Sequence, residues 1–289
     1  MSAYPFLKGH GTENDFVLLP DHDGSIHGDL TEERVRALCD RRAGIGGDGV
    51  MRVIRTQALA EFDQAVLDLH EPDPEWFMDY RNSDGSLSEM CGNGIRVFAR
   101  HLAEAGLIDT SAPVAIGTRA GIRTVTFASD SDLITVDMGR PVLGRESEVA
   151  VPPLAWKATN IDMGNPHAVA FVESLDEAGT LLEEPDYDHA VYPEGVNVEF
   201  VVRRGSQHVA MRVHERGSGE TRSCGTGACA VMVASAINDR YAPAGSTPAG
   251  DVTYRVDVPG GELSITWTRA DRVLLTGPAV MVAEGTTTL

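Results

Sequence analysis

Short apolar runs, several of them alternating with polar residues, recur along the chain and predict many strands and few helices. In the first half they fall at 16–19, 50–54, 114–116, 124–127 and 134–136, and in the second at 168–172, 196–202, 209–213, 252–258 and 263–267. Three segments carry a helical pattern instead. Residues 32–41 place Val35 and Leu38 on one face, with Gly44 beyond as a stop signal. Residues 95–105 carry the stripe Ile95, Phe98 and Leu102 and end at Gly106, which suits a left-handed cap. Residues 228–237 are apolar on nearly every face, which predicts a buried central helix.

The last two helices open alike, on Cys91-Gly92-Asn93-Gly94 and on Cys224-Gly225-Thr226-Gly227, an offset of 224 − 91 = 133. Asn82 and Glu215 stand nine residues before the respective cysteines. Earlier, residues 44–50 can be laid on 195–201, and Asn14 on Asn165, at an offset of 151. The difference of 18 is assigned to the polar, proline-containing stretch 56–75. Two lobes from a duplication follow, because a period this long is far beyond the ~20–50 residues of a solenoid repeat. Facing lobes would set two equivalent helix N-termini across one cleft.

Length and charge narrow the classes. The 289 residues suit two domains. A net charge of −19 argues against nucleic acid and against an anionic membrane surface, since both demand clustered cations. With 42% hydrophobic residues the chain can bury a core, and no apolar run is long enough for a spanning helix. The N-terminus lacks the basic and apolar regions of a signal peptide, so the expected compartment is the cytoplasm. Four cysteines at these spacings make neither a disulfide framework nor a zinc knuckle.

The run Gly44-Ile45-Gly46-Gly47-Asp48-Gly49 satisfies GxGxxG, but a helix precedes it and a strand follows, the reverse of the dinucleotide order. It reads as a close-packed turn. Cys91 and Cys224 carry more chemistry. A helix N-terminus offers free N–H groups and the positive dipole end, which favour thiolate, and the glycines let a carboxylate approach the backbone. Cys39 and Cys229 lie within helices and read as packing residues. Two matched thiols suit proton removal at one face of a carbon and proton delivery at the other, which inverts it. No lysine sits in a setting that suggests a pyridoxal Schiff base and no cysteine spacing resembles a zinc knuckle, so no cofactor and no metal are expected, and donors aimed at the carboxylate must carry the catalysis. His167 and Glu215 are candidates to tune the thiols. Asn14, Asn82, Asn165 and Asn197 are flanked by Gly, Pro or strand signals, where asparagine is most often a turn former.

At these residues the chain resembles the diaminopimelate epimerases. The similarity runs through Gly11-Thr12-Glu13-Asn14-Asp15-Phe16, 44–48, Asn82-Ser83-Asp84-Gly85-Ser86 and Cys91-Gly92-Asn93-Gly94. It continues in Gly164-Asn165-Pro166-His167, Gly195-Val196-Asn197-Val198, Glu215-Arg216-Gly217-Ser218-Gly219-Glu220-Thr221, Cys224-Gly225-Thr226-Gly227-Ala228-Cys229 and Thr276-Gly277-Pro278-Ala279. The resemblance implies an α/β (α+β) fold of two pseudo-symmetric lobes, each a β-structure wrapped around a central helix, with the active site in the cleft. Residues 1–130 plus 274–289 would form one lobe and 131–273 the other. It implies cofactor-independent epimerisation of L,L- to meso-diaminopimelate, which supplies lysine and peptidoglycan synthesis. Cys91 and Cys224 would be the acid/base pair, assisted by His167 and Glu215. Asn14, Asn82, Asn165, Asn197 and Glu215 would hold the substrate, Arg216 its distal carboxylate, and Gly92, Asn93, Gly225 and Thr226 the reacting end.

Two departures stand out: Gly49 where the family often has Gln, and Glu13 where it often has Gly. The partner expected is a small amino-acid substrate, with neither nucleic acid nor membrane, and a homodimer is left open. Proline and hydroxyproline racemases resemble the chain less, since they usually carry His where Asn93 stands, and PhzF-type isomerases lack the cysteine pair. A thiol metal-binding or redox protein is the alternative from another class.

Overall fold

Alternating strands wrap one long helix, and the construction occurs twice. The computed structural model describes residues 3–60, 74–243 and 246–289. The chain forms two compact units, Met1–Val136 with Pro278–Leu289, and Asp137–Gly277. In the first, β1 (Tyr4–Gly11) and β2 (Asn14–Pro20) form an antiparallel hairpin. Helix α1 (Glu32–Cys39) leads to β3 (Gly49–Arg55), parallel to β2. After α2 (Thr56–Ala60), β4 (Trp76–Asn82) returns antiparallel to β3. Helix α3 (Gly92–Glu104) crosses to β5 (Val114–Thr118), parallel to β4, and β6 (Gly121–Phe127) and β7 (Leu133–Gly139) follow antiparallel.

In the second unit the short β8 (Val142–Leu143) and β9 (Ser147–Val151) flank β10 (Leu154–Asp162). Strand β11 (Pro166–Phe171) is antiparallel to β10, β12 (Asp186–Tyr187) pairs with β9, and β13 (Asn197–Gly205) lies parallel to β11. Strand β14 (His208–Glu215) returns antiparallel to β13 and carries the short β15 (Gly219–Glu220). Helix α4 (Gly225–Asn238) crosses to β16 (Val252–Val258), parallel to β14, and β17 (Gly261–Trp267) and β18 (Val273–Pro278) follow antiparallel. Strand β19 (Val280–Thr287) belongs to the first unit again and pairs with β1. The sequence of antiparallel, parallel and antiparallel ladders, helix, then parallel and two antiparallel ladders is identical in the two units, the signature of a duplication.

The registers refine the alignment of the halves. Val50 faces Arg81 and Val198 faces His214. Since 214 − 81 = 133 matches the cysteine offset, Val198 takes the place of Val50, at 198 − 50 = 148 rather than 151. Phe16 beside Gly49 and His167 beside Asn197 agree, so the offset of 151 holds for β2 against β11 but not for the glycine run. Position 49 is therefore the counterpart of Asn197. The apolar-and-glycine letters of that run fit several registers, and only the strand pairing selects one. Of the 56–75 insertion, residues 61–73 lie outside the described residues.

Both long helices begin three residues earlier than their apolar stripes, because glycines carry the first turn. Ile95, Phe98 and Leu102 are fully buried, and α3 packs on β1, β2, β3 and β19. Helix α4 is apolar all round because strands surround it: it touches β10, β11, β13, β14, β16 and β17. A helix so enclosed has no face left for charge. Helix α1 ends at Cys39, short of 41, where Asp40 leaves the helical region. Among the described residues no helix is long and apolar enough to cross a membrane.

Candidate active site

Cys91 and Cys224 occupy the same position in their units. Each is the extended N-cap of its helix, and each sulfur accepts a hydrogen bond at 3.4 Å from the backbone of the second glycine, Gly94 or Gly227. A side chain at that glycine would crowd the sulfur: a Cβ on Gly227 would lie 3.2 Å from Cys224 Sγ and 2.7 Å from Glu199 Oε1. The Cys-Gly-x-Gly spelling thus lets a thiol cap its helix where Ser or Asp usually does.

Around Cys91 the first unit assembles a chain of amides with a fixed direction. Cys91 Sγ lies 3.7 Å from Asn14 Oδ1, which also accepts from Asn93 Nδ2 at 3.2 Å. Asn14 Nδ2 donates to Asp48 Oδ2 at 2.7 Å, and Asn93 Oδ1 accepts from Arg96 at 3.0 Å. A carboxylate only accepts and a guanidinium only donates, so both amides are locked in orientation from their ends. Asp48 is held in turn by Arg41 at 2.6 Å. The glycine run 44–49 lies between α1 and β3 and delivers Asp48 to Asn14, so its task here is structural. Asn82 ends β4 and bonds Ser86 Oγ at 3.0 Å.

At Gly49, Tyr80 explains the departure from Gln. A Cβ there would lie 2.5 Å from both the Arg81 carbonyl oxygen and Tyr80 Cε2, and 2.9 Å from the Tyr80 hydroxyl, so backbone and ring together fill the space a side chain would need. Glu13 is the second departure. It sits at φ 62° in the turn between β1 and β2, the backbone region that favours glycine.

Around Cys224 the second unit is drier and more acidic. Cys224 is buried, with Thr226 Oγ1 at 3.6 Å. Burial, then Glu215, then Glu199 push its thiol well above the ordinary range. That reverses the sequence expectation of a stabilised thiolate at this end. A helix end contributes only about 0.3–1 kcal/mol, whereas burial moves an ionisable group by up to ~3–5 pKa units. Burial outweighs the dipole and favours the thiol form of Cys224. Glu215 ends β14 and is held by the Thr221 hydroxyl. His167 is fully buried, with Nδ1 2.6 Å from Glu199 and Nε2 3.0 Å from Asn165 Oδ1. Asn197 donates to Pro166 O at 3.1 Å and accepts from the Arg216 amide at 3.0 Å. Arg216 is exposed and bonds the Glu194 carbonyl at 3.0 Å; among the described residues no carboxylate pairs with it.

The structure brings Asn14, Asn93 and Cys91 together in one unit, and Asn165, His167, Asn197, Glu215, Arg216, Thr226 and Cys224 are elements of the other. Cys39 and Cys229 are buried packing residues. Among the described residues no cluster of His, Cys, Asp and Glu is arranged to hold a metal ion.

A profile of the diaminopimelate epimerase family matches residues 6–144 and 159–282. The chain belongs to the diaminopimelate epimerase family. It is 57% identical to the diaminopimelate epimerase of Streptomyces coelicolor, over 97% of this chain and 94% of that one. It is 48% identical to that of Thermobifida fusca, over 97% and 96%. Among solved structures, a PhzF-family phenazine biosynthesis protein of Bacillus anthracis matches with TM-score 0.69, 16% identity and full coverage of both chains. A hydroxyproline epimerase of Agrobacterium vitis matches with TM-score 0.65 and 15% identity, covering 99% and 92%. These neighbours share the fold with this diaminopimelate epimerase family member; the close sequence relatives set it apart from them.

Sequence reading missed Glu199, Asp48, Arg96 and Tyr80. Two had a signal. Glu199 is a lone acid within the apolar run 196–202, and Arg96 a lone cation inside Ile95-Arg96-Val97-Phe98. Both are fully buried.

Proposed function

We propose that the protein epimerises L,L-diaminopimelate to meso-diaminopimelate by a two-base mechanism without a cofactor. The observation that carries this is the pair of helix-capping thiols at equivalent positions of a duplicated fold, in a chain that belongs to this family. In one direction the Cys91 thiolate takes the α-proton, the C–H electrons remain on the substrate as a carbanion, and Cys224 gives its proton to the opposite face. The two sulfurs exchange roles, and the reverse reaction restores them. An α-carbon proton is weakly acidic, so donors at the carboxylate must stabilise the developing charge. The amides of Gly92, Asn93, Gly225 and Thr226 in the first helical turns are assigned that task. His167 and Glu215 assist proton movement at the thiols. Asn14, Asn82, Asn165 and Asn197 hold the polar groups of the substrate, and Arg216 its distal carboxylate. The free thiols fit a reducing compartment, and the reading places the reaction in the cytoplasm, upstream of lysine and peptidoglycan synthesis.

The test is turnover of L,L-diaminopimelate in deuterium oxide with no added cofactor. The expected product is meso-diaminopimelate carrying one solvent deuterium at the inverted carbon. Absence of inversion, or preferred turnover of proline, would overturn the assignment.

A further inference from the structure

Glu199 has no part in the roles assigned so far, yet it is a fully buried carboxylate near the start of β13. Burying an acid is costly unless it is paired or put to use. Its Oε1 bonds His167 Nδ1 at 2.6 Å, and its Oε2 has no hydrogen-bond partner among the described residues. With Asn165 Oδ1 3.0 Å from Nε2, the His167 ring is held from both of its nitrogens. The other side of the carboxylate meets α4. Glu199 Oε1 and Cys224 Sγ both lie in reach of the point where a Cβ on Gly227 would stand, at 2.7 and 3.2 Å. Carboxylate and sulfur share the space that glycine leaves open.

We propose that Glu199 is a positioning residue that joins His167 to Cys224: it clamps the imidazole through Nδ1 and keeps an acidic group beneath the first turn of α4, so that Cys224 holds its proton until substrate arrives. The proposal rests on the reading of Cys224 as one of the two acid/base thiols. The groups that face the sulfur are Glu215 at the end of β14, Glu199 on β13, and Thr226 with the Gly227 amide on its own helix. Both carboxylates oppose thiolate, and Thr226 and Gly227 favour it. Burial in turn pushes the Glu199 carboxyl above its ordinary range, and His167 draws it back. Removing the charge while keeping the shape of Glu199 should therefore release the thiol toward ionisation.

The experiment is the pH dependence of Cys224 alkylation by iodoacetamide in the full chain, followed by peptide mass spectrometry. Glu199→Gln is expected to move the Cys224 profile toward acid, with alkylation up to about tenfold faster at about pH 8. Cys91 should stay within about twofold of its wild-type rate, and Glu199→Asp, which keeps the charge, should hold Cys224 near the wild-type profile. A purely structural Glu199 would leave the profile unmoved in a folded Glu199→Gln protein, and that result overturns the proposal. Should Glu199→Gln fail to fold, the wild-type profile decides: Cys224 must ionise above the ordinary thiol range, and a midpoint at or below it overturns the proposal. Alkylation needs no substrate, so a wild-type protein inert toward diaminopimelate would sink the functional reading without touching this result.

Discussion

Asn14 donates its side-chain amide to Asp48 at 2.7 Å, and this bond determines which atom of Asn14 faces Cys91. With Nδ2 committed to the carboxylate, Oδ1 is turned to the sulfur and to Asn93. An acceptor there suits a thiol that donates, whereas a thiolate would gain from a donor. The direction of the amide is a setting held by a residue that does not touch the sulfur.

Asp48→Asn should loosen that setting. Asn14 could then turn and offer Nδ2 to Cys91, and a hydrogen bond is worth about 0.5–1.5 kcal/mol, rising to about 1.5–3 kcal/mol when one partner is charged. Alkylation of Cys91 at neutral pH should rise by about tenfold, while Cys224 stays unchanged. Equal rates at Cys91 in the variant and the wild type would show that the amide direction has no hold on the thiol.

The two thiols should be individually indispensable. Loss of a positioned acid or base costs about 10²–10⁴-fold. Inversion needs both faces served, so Cys91→Ala and Cys224→Ala should each lie at or beyond the upper end. Cys229→Ala, deep in α4, should retain activity apart from a packing penalty. Near-normal epimerisation by either single variant, measured by chiral chromatography of the product, would refute the two-base assignment.

Much of this was legible in the sequence, for reasons that differ by element. The strands and α4 announced themselves through apolar patterning, and the cysteine pair through a repeated four-residue spelling. The register of the glycine run was not legible, because glycine and valine fit several alignments and strand pairing alone selects Asn197 rather than Phe200 as the counterpart of Gly49. Nor was the environment of Cys224. A helix N-terminus is visible in sequence, but burial and the approach of Glu199 depend on how β13 lies beneath α4. That local cost outweighs the dipole and reverses the expected direction.

Arg216 is exposed, with its stem against Gly195, where a Cβ would lie 2.7 Å from Arg216 Cδ, and its guanidinium on the Glu194 carbonyl. Arg216→Met should therefore leave the fold nearly unchanged, within about 0.5 kcal/mol as for most surface changes. A charged hydrogen bond is worth about 1.5–3 kcal/mol, so KM for diaminopimelate should rise by about ten- to a hundredfold. Arg216→Lys should recover part of it, because an ammonium cannot reproduce a two-bond guanidinium contact. Steady-state kinetics beside circular dichroism check this, and a wild-type KM in folded Arg216→Met would remove Arg216 from the site.

Cys39 gives the chain an alkaline weakness unrelated to catalysis. It ends α1 and packs with Val17, Leu19, Val35 and Leu38, and burial pushes its thiol up to about 12 from 9.0. The sign follows from proton counting. Below pH 9.0 the thiol is protonated folded and unfolded alike, so the raised value costs nothing. Above it the unfolded chain ionises and the folded one does not, so the native state binds more protons and stability falls as pH rises. The loss from this group runs from about pH 9 to about 12, at up to ~1.4 kcal/mol per pH unit. Cys39→Ala removes the group at the cost of a small cavity, which lowers stability by a constant amount. Urea unfolding midpoints across that window should therefore fall more steeply in the wild type than in Cys39→Ala, with the two curves converging at high pH. Parallel curves would mean that Cys39 ionises as readily in the fold as outside it.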